Sequence, residues 1–343
     1  MKKYLNTLYV TTQNAYLNKE GQSVVVNVEK EVRLRLPIHT LDGIVCFGAV
    51  SMSPFLMHHC AESNVAVSFL SEYGKFLARI QGPVSGNVLL RREQYRVADR
   101  PEDAAQVARN MLIGKLANSR TVLRRALRDY ADKIDEEALG RAETRLTQYL
   151  KRLDAPYPID ELRGIEGEAA ASYFAAFPQL ITCTDPAFTF TGRNRRPPTD
   201  PVNALLSFVY TLLVHDCRSA LEGVGLDPCV GYLHTDRPGR PSLALDLMEE
   251  FRAFLADRLV LSLINRRQIQ PKDFNDSAGG AVAMTDDARK TLLSTWQKRK
   301  QEEITHPYLG EKCKIGLLPH VQAQLLARHL RGDLEAYPPF IWR

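Results

Sequence analysis

The apolar pattern of this chain changes character once, and that change constrains the fold more than any other feature. Up to residue 80 the apolar residues come in short β-branched and aromatic runs: Leu8 to Val10, Val24 to Val28, Val32 to Leu36, Ile44 to Phe47 and Val65 to Phe69. Such runs suit half-buried strands. Asn18, Gly21, Pro37, Asp42-Gly43 and Gly74 punctuate them, and Ser53 to Ser63 reads as one short helix between two strands. The stretch Gln81-Gly-Pro-Val-Ser-Gly-Asn87 is linker-like. Beyond it the apolar residues recur with helical period, predicting helices over roughly 102–131, 136–153, 158–177, 199–222, 241–264, 284–304 and 317–331. Pro158-Ile-Asp, Pro198-Thr-Asp-Pro201 and Pro241-Ser242 mark helix starts, because proline fits a first turn and Ser, Thr or Asp can cap it. The expected fold is α+β: a small, mainly β N-terminal domain over residues 1–85 and a larger all-α domain over 86–343. The tail Tyr337-Pro-Pro-Phe-Ile-Trp-Arg343 cannot continue a helix; it either docks by its aromatics or is loose.

A length of 343 residues suits two folded units, and 45% apolar residues supply their cores. Forty-five basic against 40 acidic side chains leave a net charge of +5, which excludes both a strongly basic DNA-coating protein and an acidic disordered chain. Any nucleic-acid surface is therefore a local patch. The six cysteines form no CxxC pair, which disfavours a zinc ribbon or a disulfide framework. Polar residues interrupt any apolar signal core near the N-terminus, and no run reaches the roughly 18 apolar residues of a membrane span. A reduced, soluble, cytoplasmic protein with no membrane partner is expected.

Gly74-Lys75 lacks the preceding glycine of a phosphate loop, Gly223 and Gly225 open no strand-to-helix turn, and no HExxH occurs. His58-His59-Cys60 reads as packing residues rather than metal ligands. The informative stretch runs from Gly231 to Arg252. There His234 precedes a loop broken by Pro238, Gly239 and Pro241, and Ser242 opens a helix carrying Asp246, Glu249 and Glu250 on one arc beside the apolar face of Leu243, Leu247, Phe251 and Phe254. Like charges at helical spacing oppose one another, so the cluster is either a solvated acidic face or a cation site. A second candidate is Glu166, followed by Gly167 inside a helical run. A mid-helix glycine costs about 1 kcal/mol relative to alanine, so either something approaches the backbone there or helices pack closely. Carboxylates with one imidazole suit Mg²⁺ or Mn²⁺. Arg120, Arg124 and Arg128 on one helix face, Arg193, Arg195 and Arg196 before Pro197, and Arg237 and Arg240 around the His234 loop are candidates for DNA phosphates, the alternative being solvated surface.

These segments carry a family resemblance. Gly164-Ile-Glu-Gly-Glu-Ala-Ala-Ala-Ser-Tyr-Phe174, Phe190 to Tyr210, Gly231-Tyr-Leu-His234 and Ser242 to Arg252, in that order, resemble the CRISPR-associated integrase, the first-numbered Cas protein of spacer acquisition. The opening ten residues and Leu36 to Ile44 look most like its type I-C branch. The resemblance implies an N-terminal β domain joined to a helical domain, and a catalytic metal ion, Mg²⁺ or Mn²⁺, held by Glu166, His234 and Glu249. Glu250 stands as an alternative to Glu249 for the direct ligand, and Asp246 would bind a second ion or orient the ligands. Asn203 and Tyr210 fall in a helix that would pack beside the site in supporting roles. The implied reaction is metal-assisted transesterification, in which the 3′-hydroxyl of a short DNA fragment attacks a phosphodiester at the edge of a CRISPR repeat. No serine or cysteine nucleophile with an obvious base competes with it. The resemblance also implies a homodimer through the β domains and a small ferredoxin-like Cas partner subunit. Two other readings remain: a metal-dependent nuclease for branched or single-stranded DNA, and a non-catalytic DNA-binding scaffold.

Overall fold

The computed structural model describes residues 6–72, 74–82, 88–130, 134–194, 197–276 and 280–342. The chain divides into two compact units. One comprises Met1–Gly86, Met284–Glu303 and Lys314–Leu317; the other comprises Asn87–Ala283, Ile304–Cys313 and Leu318–Arg343.

The first unit holds two four-stranded sheets. In one, β1 (Asn6–Val10) and β7 (Ala66–Leu70) run parallel to β5 (Leu41–Phe47), and β8 (Phe76–Ile80) closes the row antiparallel to β7. In the other, β2 (Tyr16–Glu20), β3 (Ser23–Val28) and β4 (Glu31–Pro37) form an antiparallel meander, with β6 (Ser51–Met52) parallel to β2. Central parallel strands are covered on both faces, and Ile44 to Phe47 of β5 are accordingly all buried. The outer strand β4 leaves Val32 and Leu34 exposed. Helix α1 (Pro54–Glu62) starts where Ser53 Oγ accepts the Leu56 N–H at 3.2 Å. Its Leu56 and Cys60 join Leu17, Val24, Ile44 and Val67 in one core. The His58-His59-Cys60 run splits across this helix: His58 is exposed beside Glu62, 3.3 Å away, whereas His59 and Cys60 are buried. Burial pushes the Cys60 thiol up to about 12, away from the thiolate a metal needs. Helix α9 (Asp286–Gln301), remote in sequence, belongs to this unit and buries Leu292, Leu293 and Trp296.

The second unit is built on α2 (Val88–Asp99), α3 (Pro101–Asp129), α4 (Glu136–Arg152), α5 (Ile159–Ala176), α6 (Pro201–Val224), α7 (Ser242–Phe251), α8 (Arg258–Asn265) and α10 (Leu318–Leu330). Pro101 fits the first turn of α3, where its missing N–H is no loss, and Glu102 and Asp103 there and Arg128 in the last turn complement the helix dipole. This long helix packs against α4, α5 and α7. A π-helical turn, Arg252–Asp257, joins α7 to α8 where a regular helix is predicted. The strands β9 (Phe274–Asp276), β10 (Val282–Met284), β11 (Glu303–Thr305) and β12 (Lys312–Lys314) interrupt the helical pattern; three residues each are too short to display alternation in sequence. The tail docks: Tyr337, Phe340 and Trp342 are buried, and Trp342 lies between the guanidinium groups of Arg125 and Arg258, 3.9 and 4.3 Å from its ring.

Candidate metal centre

Three elements of the helical unit supply the candidate ligands. Glu166 stands in the middle of α5, Glu249 near the end of α7, and His234 in the loop that leads into α7. That loop is anchored from two sides. Gln94 of α2 bonds to Asp227 O, Asp227 N and Val230 O at 2.8 to 3.0 Å, and Arg163 Nε of α5 donates to Leu233 O at 2.7 Å.

Asp246 sets the loop's direction. Its Oδ2 accepts the N–H groups of Tyr232 and Leu233 at 2.6 and 3.0 Å, and its Oδ1 accepts that of His234 at 2.9 Å and meets His234 Nδ1 at 2.6 Å. A hydrogen bond at Nδ1 turns Nε2 outward for another partner. Gly231 is required here: a Cβ would lie 2.8 Å from Asp246 Oδ2 and from Ser242.

Glu249 is 4% exposed and lies between two cations. Arg252 Nη1 donates to its Oε1 and Oε2 at 2.8 and 3.0 Å, and Lys115 Nζ of α3 lies 2.7 Å from Oε2. Burial acts to raise its pKa. Arg252, Lys115 and then His234 outweigh that and hold the carboxyl well below the usual range. The Lys115 ammonium also bonds to Glu166 Oε1, so one cation serves both carboxylates. Among the described residues no three His, Cys, Asp or Glu side chains stand close enough to hold a metal ion as placed. The two carboxylates nevertheless converge on a single positive charge. By donor chemistry, two carboxylates and one imidazole suit Mg²⁺ or Mn²⁺.

The three acids of α7 do not form a solvated face. All are buried, in three separate surroundings. Asp246 holds the 232–234 backbone, Glu249 meets Lys115 and Arg252, and Glu250 turns to the tail. Glu250 accepts from Tyr337 Oη at 2.5 Å, Phe340 N at 2.6 Å and Gln322 Nε2 at 3.0 Å. Burial pushes its pKa up to about 8 despite those donors. Gly114 of α3 makes room, since a Cβ there would lie 3.0 Å from Glu250 Cγ and 3.3 Å from Phe340 O.

The remaining expected residues fall in distinct places. Asn203, at the start of α6, bonds to Arg193 Nη1, Asn194 N, Gly192 O and Asp200 Oδ2, and so shapes the 192–194 segment. Tyr210 Oη donates to buried Asp257 at 2.5 Å, and the Tyr210 ring faces Arg252 and Arg193. Arg124 pairs with Glu143 of α4 at 2.6 Å, Arg120 reaches Thr147 on the same helix, and Arg128 pairs with Asp129. Arg237 is exposed and Arg240 half-buried in the His234 loop. Arg195 and Arg196 lie outside the described residues. No protein atom outside the neighbouring helix backbone comes within 4 Å of a Cβ built on exposed Gly167, so helix packing does not explain that glycine.

Lys115 and Arg252 have no role that the sequence alone suggests, although both are central here. The one hint for Lys115 is its spacing, four residues after Met111 and three after Leu112, which puts a cation on the apolar face of α3. A groove of about 440 Å³ opens beside His234, bordered by Tyr95, Pro101, Ile159, Arg163 and Tyr232.

Fold and site together define a protein of two units, one of β-sheets and one helical, with a buried carboxylate–imidazole centre in the helical unit. The model of the family described as CRISPR associated protein Cas1 matches residues 8–298, and the chain belongs to that family. It is 60% identical over 343 residues to CRISPR-associated endonuclease Cas1 1 of Chlorobaculum tepidum, covering 100% of each. Among solved structures it resembles a CAS1 protein from Thermotoga maritima, with TM-score 0.81, 25% identity and coverage of 95% of this chain and 97% of that one. It also shares its fold with a casposase bound to integration product, with TM-score 0.85, 22% identity and coverage of 99% and 95%. Among the described residues no helix is long and apolar enough to cross a membrane.

Proposed function

We propose that this chain is a metal-dependent DNA integrase that joins the 3′-hydroxyl ends of short foreign-DNA fragments into the CRISPR array by transesterification. The observation that carries this reading is the convergence of Glu166 and Glu249 on one cation, together with an imidazole, His234, oriented by Asp246 of the helix that carries Glu249. A Mg²⁺ or Mn²⁺ ion held by Glu166, His234 and Glu249 would polarise the target phosphodiester and make the attacking 3′-hydroxyl more acidic. Asp246 keeps the His234 ring aimed with Nε2 outward. Arg252 holds Glu249 in one rotamer through two hydrogen bonds, and the Tyr210 ring covers that guanidinium. In the reaction a new 3′-oxygen–phosphorus bond forms, the repeat's own phosphorus–oxygen bond breaks, and the displaced strand leaves with a free 3′-hydroxyl. No covalent bond to the protein is needed.

Arg193, Arg237 and Arg240 are the side chains we assign to DNA phosphates near the His234 loop. A homodimer through the β unit is supported by the exposed apolar residues Val32 and Leu34 on the outer strand β4. Two dimers would hold the fragment with a small ferredoxin-like Cas subunit, as the family resemblance implies, in the cytoplasm. By the resemblance of its opening residues and Leu36 to Ile44, we assign the chain to the type I-C branch.

Supplying a labelled fragment with 3′-hydroxyl ends, a supercoiled repeat-bearing plasmid and Mn²⁺ tests the reading. The protein is expected to transfer the label into the plasmid. Glu166→Ala and His234→Ala are expected to abolish transfer while retaining DNA binding. Cleavage without transfer would identify a nuclease instead, and transfer undiminished in both variants would identify the acids as structural.

A further inference from the structure

Lys115 is the one group at the centre that strand joining leaves without a task. Its side chain is only 10% exposed, and its ammonium lies between the two carboxylates assigned above to the divalent ion. A lysine this deep persists where it is paired. An ammonium and a divalent ion cannot share the space between Glu166 and Glu249, because two cations at contact distance repel strongly where water is scarce. Ion entry therefore requires Lys115 to go elsewhere.

A small cavity lies beside Lys115. This cavity of about 20 Å³ is lined by Lys115, Ser119, Tyr173, Arg252 and Asp257, with apolar side chains such as Leu116, Leu146 and Phe174 completing its wall. That volume admits one water-sized group, which is the size of an ammonium. Its wall carries the buried Asp257, whose two oxygens accept the Tyr210 and Tyr173 hydroxyls. Arg252 also lines it but is engaged by Glu249.

We infer that Lys115 is a two-position counter-ion, bridging Glu166 and Glu249 in the metal-free protein and moving into the cavity beside Asp257 when a divalent ion enters. The inference rests on the metal reading of the centre. Its consequence is that the two carboxylates stay assembled without metal, and that metal affinity is set by the exchange of one cation for another rather than by the ligands alone.

Titration of the full chain with Mn²⁺ alone, followed by calorimetry or electron paramagnetic resonance, tests this. Lys115→Met keeps an unbranched stem and removes the charge, so Mn²⁺ affinity is expected to rise about tenfold or more. Lys115→Arg keeps the charge on a guanidinium too large for the cavity, so affinity is expected to fall by about tenfold or more. Glu166→Gln reports on the metal reading itself and is expected to lose the ion. Loss in Glu166→Gln, with affinity in Lys115→Met equal to or below that of the natural protein, overturns the Lys115 inference alone. Binding unchanged in Glu166→Gln overturns both. Should Lys115→Met fail to melt cooperatively, Lys115→Arg decides: affinity at or above that of the natural protein overturns the exchange.

Discussion

Asp246 accepts three backbone N–H groups and one imidazole nitrogen from the four-residue turn ending at His234. An ionised carboxylate is the only side chain of that size that accepts at every one of those points. Asp246→Asn retains the shape but sets an amide N–H against one of the backbone donors, and it no longer favours the Nδ1–H tautomer of His234. Mn²⁺ affinity is expected to fall by about ten- to a hundredfold, with loss of the hydrogen-bonded Nδ1 proton resonance; unchanged affinity would contradict the positioning role. At this scale much of the centre was legible. Glu166, His234, Asp246 and Glu249 stood out because acids and an imidazole interrupt apolar periodicity in a recognisable order. Lys115 and Arg252 did not, because a cation in a helix reads as surface until its partners are known, and those partners come from α5 and α7 rather than from its own neighbourhood in sequence. Gly114 and Gly231 were silent for the same reason: each is defined by the atoms its missing Cβ would strike.

Helix α7 shows what periodicity conveys about an element and what it omits. Spacing placed Asp246, Glu249 and Glu250 on one arc, yet each is buried against a different neighbour, since angle around an axis does not say what packs there. The tail is the clearest case. Its prolines excluded a helix, but its docking depends on Asn118, which bonds to Glu250 O, Phe340 O and Trp342 N at 2.7 to 2.9 Å, and on Gly114. Gln322 of α10 extends this network from Glu250 and Tyr337 to His306. Leu309 N–H donates to His306 Nδ1 at 3.2 Å, so the neutral ring carries its proton on Nε2 and donates to Gln322 Oε1. Burial holds the His306 pKa below its ordinary value of 6.5, with the Gln322 bond opposing. Between the folded and ordinary values the unfolded chain binds the extra proton. The contribution to stability is therefore full above pH 6.5 and lost as pH falls through the folded value. Melting from pH 7.5 down to pH 5 is expected to show a steeper loss of stability in the natural protein than in His306→Gln, which has no imidazole to protonate. Parallel curves would contradict it.

Over the whole molecule, the division into a β unit followed by a helical unit follows from where short β-branched and aromatic runs bounded by turn residues give way to long stretches of helical period. The return of α9 to the β unit had no sequence signal: a helix announces its apolar stripe but not which core receives it. The functional reading is likewise a statement about the fold as a whole, because Glu166 and Glu249 reach the same Lys115 only after α3, α5 and α7 pack together. Anomalous scattering from crystals of the full chain soaked in Mn²⁺ measures this directly. One manganese peak is expected, coordinated by Glu166, His234 Nε2 and Glu249, with the Lys115 ammonium withdrawn from between the carboxylates. A peak bound instead by Glu250, or one that touches neither His234 nor Glu166, would contradict it.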